Sequence, residues 1–208
     1  GDGGVWICDT FSHRVLYYPG NSTTATRVYG QPDFTSASYN TGGDVGFNAP
    51  RGIAVDASGG LYVTDWGNSR ILYFGPGQPA KATRVYGQAN FVNHSRDRSL
   101  GFMARADGFN EPYGLVLHSD GLYVADRTNR RILRFSWSGG LAADTADRVW
   151  GQPNFTSTSP PPPTISGTRA DPSKKFILNH NPRSPSMSPW SEQNRMKVLF
   201  SILVRVNV

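Results

Sequence analysis

Gly52-Ile53-Ala54-Val55-Asp56, Ala57-Ser58-Gly59-Gly60, Leu61-Tyr62-Val63-Thr64-Asp65, Trp66-Gly67-Asn68-Ser69 and Arg70-Ile71-Leu72-Tyr73-Phe74 follow one another near the middle of the chain. Three short apolar runs alternate here with turn residues. Gly59-Gly60 suits a tight turn, because glycine tolerates positive φ. Gly75-Pro76-Gly77-Gln78-Pro79 turns the chain again before Arg84-Val85-Tyr86-Gly87, which reads as a fourth strand. No segment keeps a 3.6-residue apolar rhythm, so helical stacking is a poor match. Leu61-Tyr62-Val63 and Ile71-Leu72-Tyr73-Phe74 are apolar at successive positions. Successive strand side chains point to opposite faces, so both faces of this sheet need cover. A four-stranded antiparallel sheet held between like neighbours meets that need, which is the blade of a β-propeller.

The rest of the chain repeats the unit. Val5-Trp6-Ile7-Cys8-Asp9, Leu61 to Asp65 and Leu122-Tyr123-Val124-Ala125-Asp126 each end on Asp. Each is followed by an Arg-led run that starts at Arg14, Arg70 or Arg131. Each then reaches Arg27-Val28-Tyr29-Gly30-Gln31, Arg84-Val85-Tyr86-Gly87-Gln88 or Arg148-Val149-Trp150-Gly151-Gln152. Units that recur this way cannot bury their apolar faces alone and stack into an array. The expected fold class is all-β: a β-propeller of four-stranded antiparallel blades, forming an incomplete arc of about three. The blades occupy residues 1–156, the first of them partial. Residues 157–208 read as a Ser/Thr/Pro-rich linker and a basic tail, whose late run Val198 to Val204 is too short to span a bilayer.

Composition sets further bounds. The chain has 208 residues, 12% of them aromatic, and one cysteine, which excludes an internal disulfide framework and any multi-cysteine zinc site. Its formal net charge is +6, but residues 1–156 hold 14 Lys and Arg against 13 Asp and Glu. The basic excess lies in the tail, which argues against nucleic acid as the partner of the repeats.

Phe47-Asn48-Ala49-Pro50-Arg51-Gly52-Ile53 with Leu61 to Asp65 and Asn68-Ser69-Arg70-Ile71-Leu72 resembles an NHL repeat. Phe109-Asn110-Glu111-Pro112-Tyr113-Gly114-Leu115 with Asn129-Arg130-Arg131-Ile132-Leu133 resembles it again, and Ser12-His13-Arg14-Val15-Leu16 matches the back half of a third copy. The resemblance implies a propeller, in this family usually six-bladed, that serves as a binding platform. Three blades make an arc. The expectation is therefore a piece of a longer propeller, completed by further blades or by a second chain.

Asp9, Asp65 and Asp126 recur in every unit, as a fold requirement does, and are expected to bond backbone N–H groups of the loop that follows. The positions that vary between units are better functional candidates. In an antiparallel blade the two-to-three loop and the connection into the next strand one lie at the same end. Arg51, Trp66, Glu111, Tyr113 and Arg127 should therefore share one face, extended by the long connections. Trp, Tyr and Arg are the types most enriched at binding hot spots. His13, His94, His118 and His180 show no ligand spacing. Peptidyl-glycine amidating lyases resemble NHL propellers and hold zinc with histidines, but no matching set is visible here. No metal, cofactor or catalytic residue is assigned. Asn21, Asn93 and Asn154 head sequons, which together with the Ser/Thr/Pro run favour an extracellular or cell-surface setting.

The reading is a non-catalytic scaffold that binds a protein partner through one loop-rich face, as the recognition arm of a larger protein. The alternatives are a lyase- or lactonase-type propeller enzyme with an axial metal, and an RNA-binding NHL module.

Overall fold

A computed structural model describes residues 3–40, 42–77, 80–99 and 103–159. The proposed tail from residue 160 onward, His180 and the run Val198 to Val204 lie outside the described residues.

Among the described residues the chain forms three blade sheets in succession and one separate two-stranded hairpin. The first holds β1 (Val5–Asp9), β2 (Arg14–Tyr18) and β3 (Arg27–Tyr29). The second holds β4 (Pro50–Val55), β5 (Leu61–Asp65), β6 (Arg70–Phe74) and β7 (Arg84–Tyr86), side by side in chain order. In the third, β8 (Pro112–His118), β9 (Gly121–Asp126) and β10 (Arg131–Phe135) are followed by a small hairpin, β11 (Trp137–Ser138) and β12 (Leu141–Ala142), before β13 (Arg148–Trp150) closes the sheet. All pairings between these strands are antiparallel. The expected four-stranded blades are present, and only the β11–β12 hairpin was not foreseen. Trp137 ties that hairpin down by donating from Nε1 to the His118 carbonyl at 2.9 Å.

The middle sheet buries both faces, as its unbroken apolar runs require. Leu61, Val63, Leu72 and Phe74 share one face and pack with Val15, Tyr29 and Phe47. Tyr62, Ile71, Tyr73 and Tyr86 take the opposite face and pack with Phe109, Leu115, Leu122, Val124, Leu133 and Phe135. The cross-strand register is the cause: Val63 stands opposite Leu72 and Tyr62 opposite Tyr73, so each pair shares a face.

Where strands one of neighbouring blades meet, the backbones nearly touch. A Cβ on Gly52 would lie 2.9 Å from the Tyr113 carbonyl oxygen. Thr64 fills the seam. Its Oγ1 accepts from the Gly52 N–H at 2.7 Å and donates to the Tyr113 carbonyl at 2.9 Å.

Candidate functional site

The face is built on a polar frame that recurs from blade to blade. Asp65 Oδ1 accepts from the Asn48 N–H at 2.6 Å, and Oδ2 accepts from Asn68 Nδ2 at 2.8 Å and Arg70 Nε at 2.7 Å. Asp126 repeats the pattern with Asn110, Asn129 and Arg131 at 2.8, 2.9 and 2.7 Å. The backbone donor therefore comes from the connection that precedes strand one, and not from the following loop as the sequence reading expected. The physical reason is that strands one and two are neighbours, so the end of strand two lies beside the start of strand one.

The Arg extends the frame outward. Arg70 donates to the carbonyls of Phe91 and Gly46, and Arg131 to those of Phe155, Arg105 and Gly108. A second device recurs in all three units. Gln31, Gln88 and Gln152 each donate from Nε2 to a carbonyl of their own two-to-three loop and to a carbonyl seven residues onward. Each Gln follows a glycine with φ of +83° to +88°. At Gly30 and Gly87 a Cβ would collide with the rings of Phe47 and Phe109, so glycine is required there. The Gln residues are quoted in the repeat signature, but a single amide carries no sequence sign of which carbonyls it will reach.

On this frame sit the five candidates, all half-buried. Register shifts between Pro50 and Ile53 and between Pro112 and Leu115 place Arg51 and Tyr113 in bulges at the start of strand one. Such bulges re-aim side chains. Trp66 opens the 3-10 turn Trp66–Asn68, which ends on Ser69 in the left-handed region. The three side chains meet: the Arg51 guanidinium carbon lies 5.1 Å from the Trp66 ring and 5.3 Å from the Tyr113 ring. The other two form a separate cluster. Glu111 Oε2 accepts from Arg127 Nη1 and from Thr128 Oγ1, each at 2.8 Å. Glu111 and Tyr113 flank Pro112, so the two clusters adjoin along one sheet edge. Ala49 and Glu111, each just before its proline, both have positive φ, 54° and 59°. Non-glycine residues hold that conformation at a cost of about 1–3 kcal/mol.

Further neighbours, beginning with Thr10 at the varying position after Asp9, complete the edge. Thr10 Oγ1 donates to the Pro50 carbonyl at 2.8 Å, which ties the first blade to the Arg51 bulge. Cys8 lies within the field of Arg51, yet burial pushes its thiol up to about 12. Phe11, in the first blade's two-to-three loop, is 90% exposed. Phe34, Tyr39, Val45, Val92 and Met103 are exposed on the long connections. No sequence signal separates these exposed apolar side chains from core ones, because the connections have no repeating register.

The histidines are dispersed. His13 Nδ1 accepts from the Ala49 N–H at 3.0 Å, His94 lies against the Val92 carbonyl, and His118 pairs with Asp120. Among the described residues no three or more His, Cys, Asp or Glu side chains stand together in a way that could hold a metal ion. Among the described residues no helix is long and apolar enough to cross a membrane.

The stacked antiparallel sheets are the blades of an incomplete β-propeller. Residues 47–74 match the family model described as NHL repeat, so the middle blade is an NHL repeat. The chain is similar to peptidylglycine alpha-amidating monooxygenase of Rattus norvegicus, with 32% identity over 139 residues. It is also similar to peptidyl-glycine alpha-amidating monooxygenase B of Xenopus laevis, with 30% identity over 139 residues. Each match takes in 64% of this chain, but only 13% of the rat protein and 14% of the frog protein. Among solved structures, the PQQ-bound aldose sugar dehydrogenase of Streptomyces coelicolor aligns with a TM-score of 0.36 and 15% identity. That alignment covers 66% of this chain and 45% of the other.

Proposed function

We propose that this chain is a binding module that takes a polypeptide partner on the edge carrying Arg51, Trp66, Glu111, Tyr113 and Arg127. The observation that carries the reading is a set of exposed apolar side chains on the loops and long connections between strands. Phe11 stands in the loop from β1 to β2, Phe34, Tyr39 and Val45 in the connection from β3 to β4, and Val92 and Met103 in that from β7 to β8. Apolar surface left open beside aromatic and Arg anchors is what a protein partner buries.

The module also associates with a further blade. Val5 and Ile7 are 51% and 43% exposed, whereas Leu61 and Val63, at the same register positions of the middle blade, are 2% and 0% exposed. In the middle blade the covering surface is a neighbouring sheet, so a sheet of the same kind is the occupant proposed for the first.

A second reading has one observation in its favour, the 32% identity to a peptidylglycine alpha-amidating monooxygenase. In that reading the face would take a peptide ending in glycine as substrate.

Affinity capture with the 208-residue chain, run beside a peptidylglycine turnover assay, separates the two. The binding reading expects a polypeptide retained by the wild type and lost with Trp66→Ala, and no amidated product. Amidated product with no retained polypeptide would overturn it.

A further inference from the structure

Arg51 differs from most arginines around it. Arg14, Arg70, Arg84, Arg98, Arg105, Arg127, Arg131 and Arg134 each pair with an Asp or Glu. Among the described residues Arg51 has no acidic partner within ion-pair distance and donates to no acceptor, and its Nε is buried without one. Trp66 Nε1, on the ring beside it, is also buried without an acceptor. Arg51 as a whole is half-buried, so part of the side chain beyond the buried Nε meets solvent. A guanidinium held beside two aromatic rings, with its fork open, is organised before any ligand arrives. Little rotamer freedom remains for binding to remove.

We propose that Arg51 anchors a carboxylate subsite on this face, with Trp66 and Tyr113 as the aromatic walls that position it. The proposal rests on the polypeptide-binding reading and deepens it: the partner presents an acidic side chain or a C-terminal carboxylate to Arg51. Three points favour a carboxylate. The planar fork of a guanidinium matches the two oxygens of a carboxylate in bidentate pairing. One unpaired cation balances one negative charge. A phosphate dianion would call for a second free cation, but Arg127 next along the edge is engaged by Glu111 at 2.8 Å. That same Glu111 would repel excess negative charge.

The test follows the Nε–H resonance of Arg51 in the full chain by NMR during titration with short capped peptides. Ac-Ala-Glu-Ala-amide carries a side-chain carboxylate, Ac-Ala-Ala-Ala-acid a terminal one, and Ac-Ala-Gln-Ala-amide neither. Inorganic phosphate is the fourth probe. The expected result is a saturable shift with at least one carboxylate peptide and none with the Gln peptide. Whichever carboxylate peptide binds identifies the source. Arg51→Lys, followed through the Trp66 indole N–H resonance because the variant has no guanidinium, should weaken that binding about tenfold, since an ammonium keeps the charge but loses the fork.

Equal response to the Gln peptide, no response to either carboxylate, or tighter binding of phosphate would each overturn the proposal. If Arg51→Lys fails to fold, Tyr113→Leu, which removes one wall and keeps the charge, serves in its place and should also weaken binding. Failure here is distinguishable from failure of the platform reading. Capture that needs Trp66 but ignores Arg51→Lys leaves the platform standing and removes the subsite. Capture indifferent to Trp66 removes the platform.

Discussion

Arg70 donates from Nε to Asp65 Oδ2 at 2.7 Å, and neither side chain reaches solvent. The same pair recurs one blade later as Arg131 and Asp126, again at 2.7 Å and fully enclosed. Each Arg also holds carbonyls of the long connections that lead to the candidate edge, so the pair belongs at once to the core and to the scaffolding of the face.

Arg70→Met should therefore be costly. It leaves the Asp65 carboxylate buried and unpaired, which typically costs about 3–5 kcal/mol. The expected outcome in urea unfolding is a large drop in midpoint with little change in slope. A loss below about 1 kcal/mol would mean that Asp65 finds another partner.

Gln88→Ala removes donors to the Ser69 carbonyl at 3.0 Å and the Ser95 carbonyl at 2.7 Å. Global stability should fall by only about 1–2 kcal/mol, the cost of buried acceptors left unpaired. The informative readout is amide hydrogen exchange. Protection should fall in residues 88–99 and around Ser69, while β5 and β6 stay protected.

Much of this frame was legible in the sequence. Four short strands per unit follow from apolar runs cut by Gly and Pro, and burial on both faces follows from unbroken apolar runs such as Ile71 to Phe74. The shared edge of Arg51, Trp66, Glu111, Tyr113 and Arg127 follows from antiparallel topology alone. The pairing within the edge did not follow. That Arg51 lies by Trp66 and Tyr113, while Glu111 takes Arg127, depends on the bulges after Pro50 and Pro112. Bulges have no unambiguous sequence mark. The β11–β12 hairpin was missed because Trp137-Ser138 and Leu141-Ala142 are too short to show an alternation. The donor to Asp65 lies outside the expected following loop because Asx turns are local, whereas the Asn48 N–H comes from the connection that leads into the adjacent strand.

Cys8 offers a pH-dependent prediction. Burial raises its thiol to about 12 against an ordinary value of 9.0, even with Arg51 pulling it down. At pH 8.5 the folded chain should alkylate with iodoacetamide on the order of 100–1,000 times more slowly than the chain in urea, since the thiolate is the nucleophile. The linkage has a definite sign. The folded pKa lies above the unfolded one, so the stabilisation is complete below about pH 9 and is lost as pH rises toward 12. Equal alkylation rates in the two states would contradict the raised thiol pKa of half-buried Cys8.

Ile7→Lys tests the open sheet of the first blade. Ile7 is 43% exposed where its counterpart Val63 is fully enclosed. The wild-type chain should associate with rising concentration in sedimentation velocity, and the variant should remain monomeric with its thermal transition unchanged. A wild type that stays monomeric at high concentration would count against a blade docking there.

Leu72→Ala probes the packing between blades. Leu72 is fully buried between the first and middle sheets. The substitution should cost about 2–5 kcal/mol by loss of transfer energy plus a residual cavity. Thermal unfolding of wild type and variant gives the comparison.

The central claim, that a polypeptide seats on the loop-rich edge, is tested most directly by site-specific photo-crosslinking. A photoreactive benzophenone side chain replaces Phe11, which is 90% exposed beside that edge, or Val55, which is exposed at the other end of β4. The account predicts one discrete polypeptide adduct from position 11 and none from position 55. Adducts of equal yield from both positions, or from position 55 alone, would contradict it.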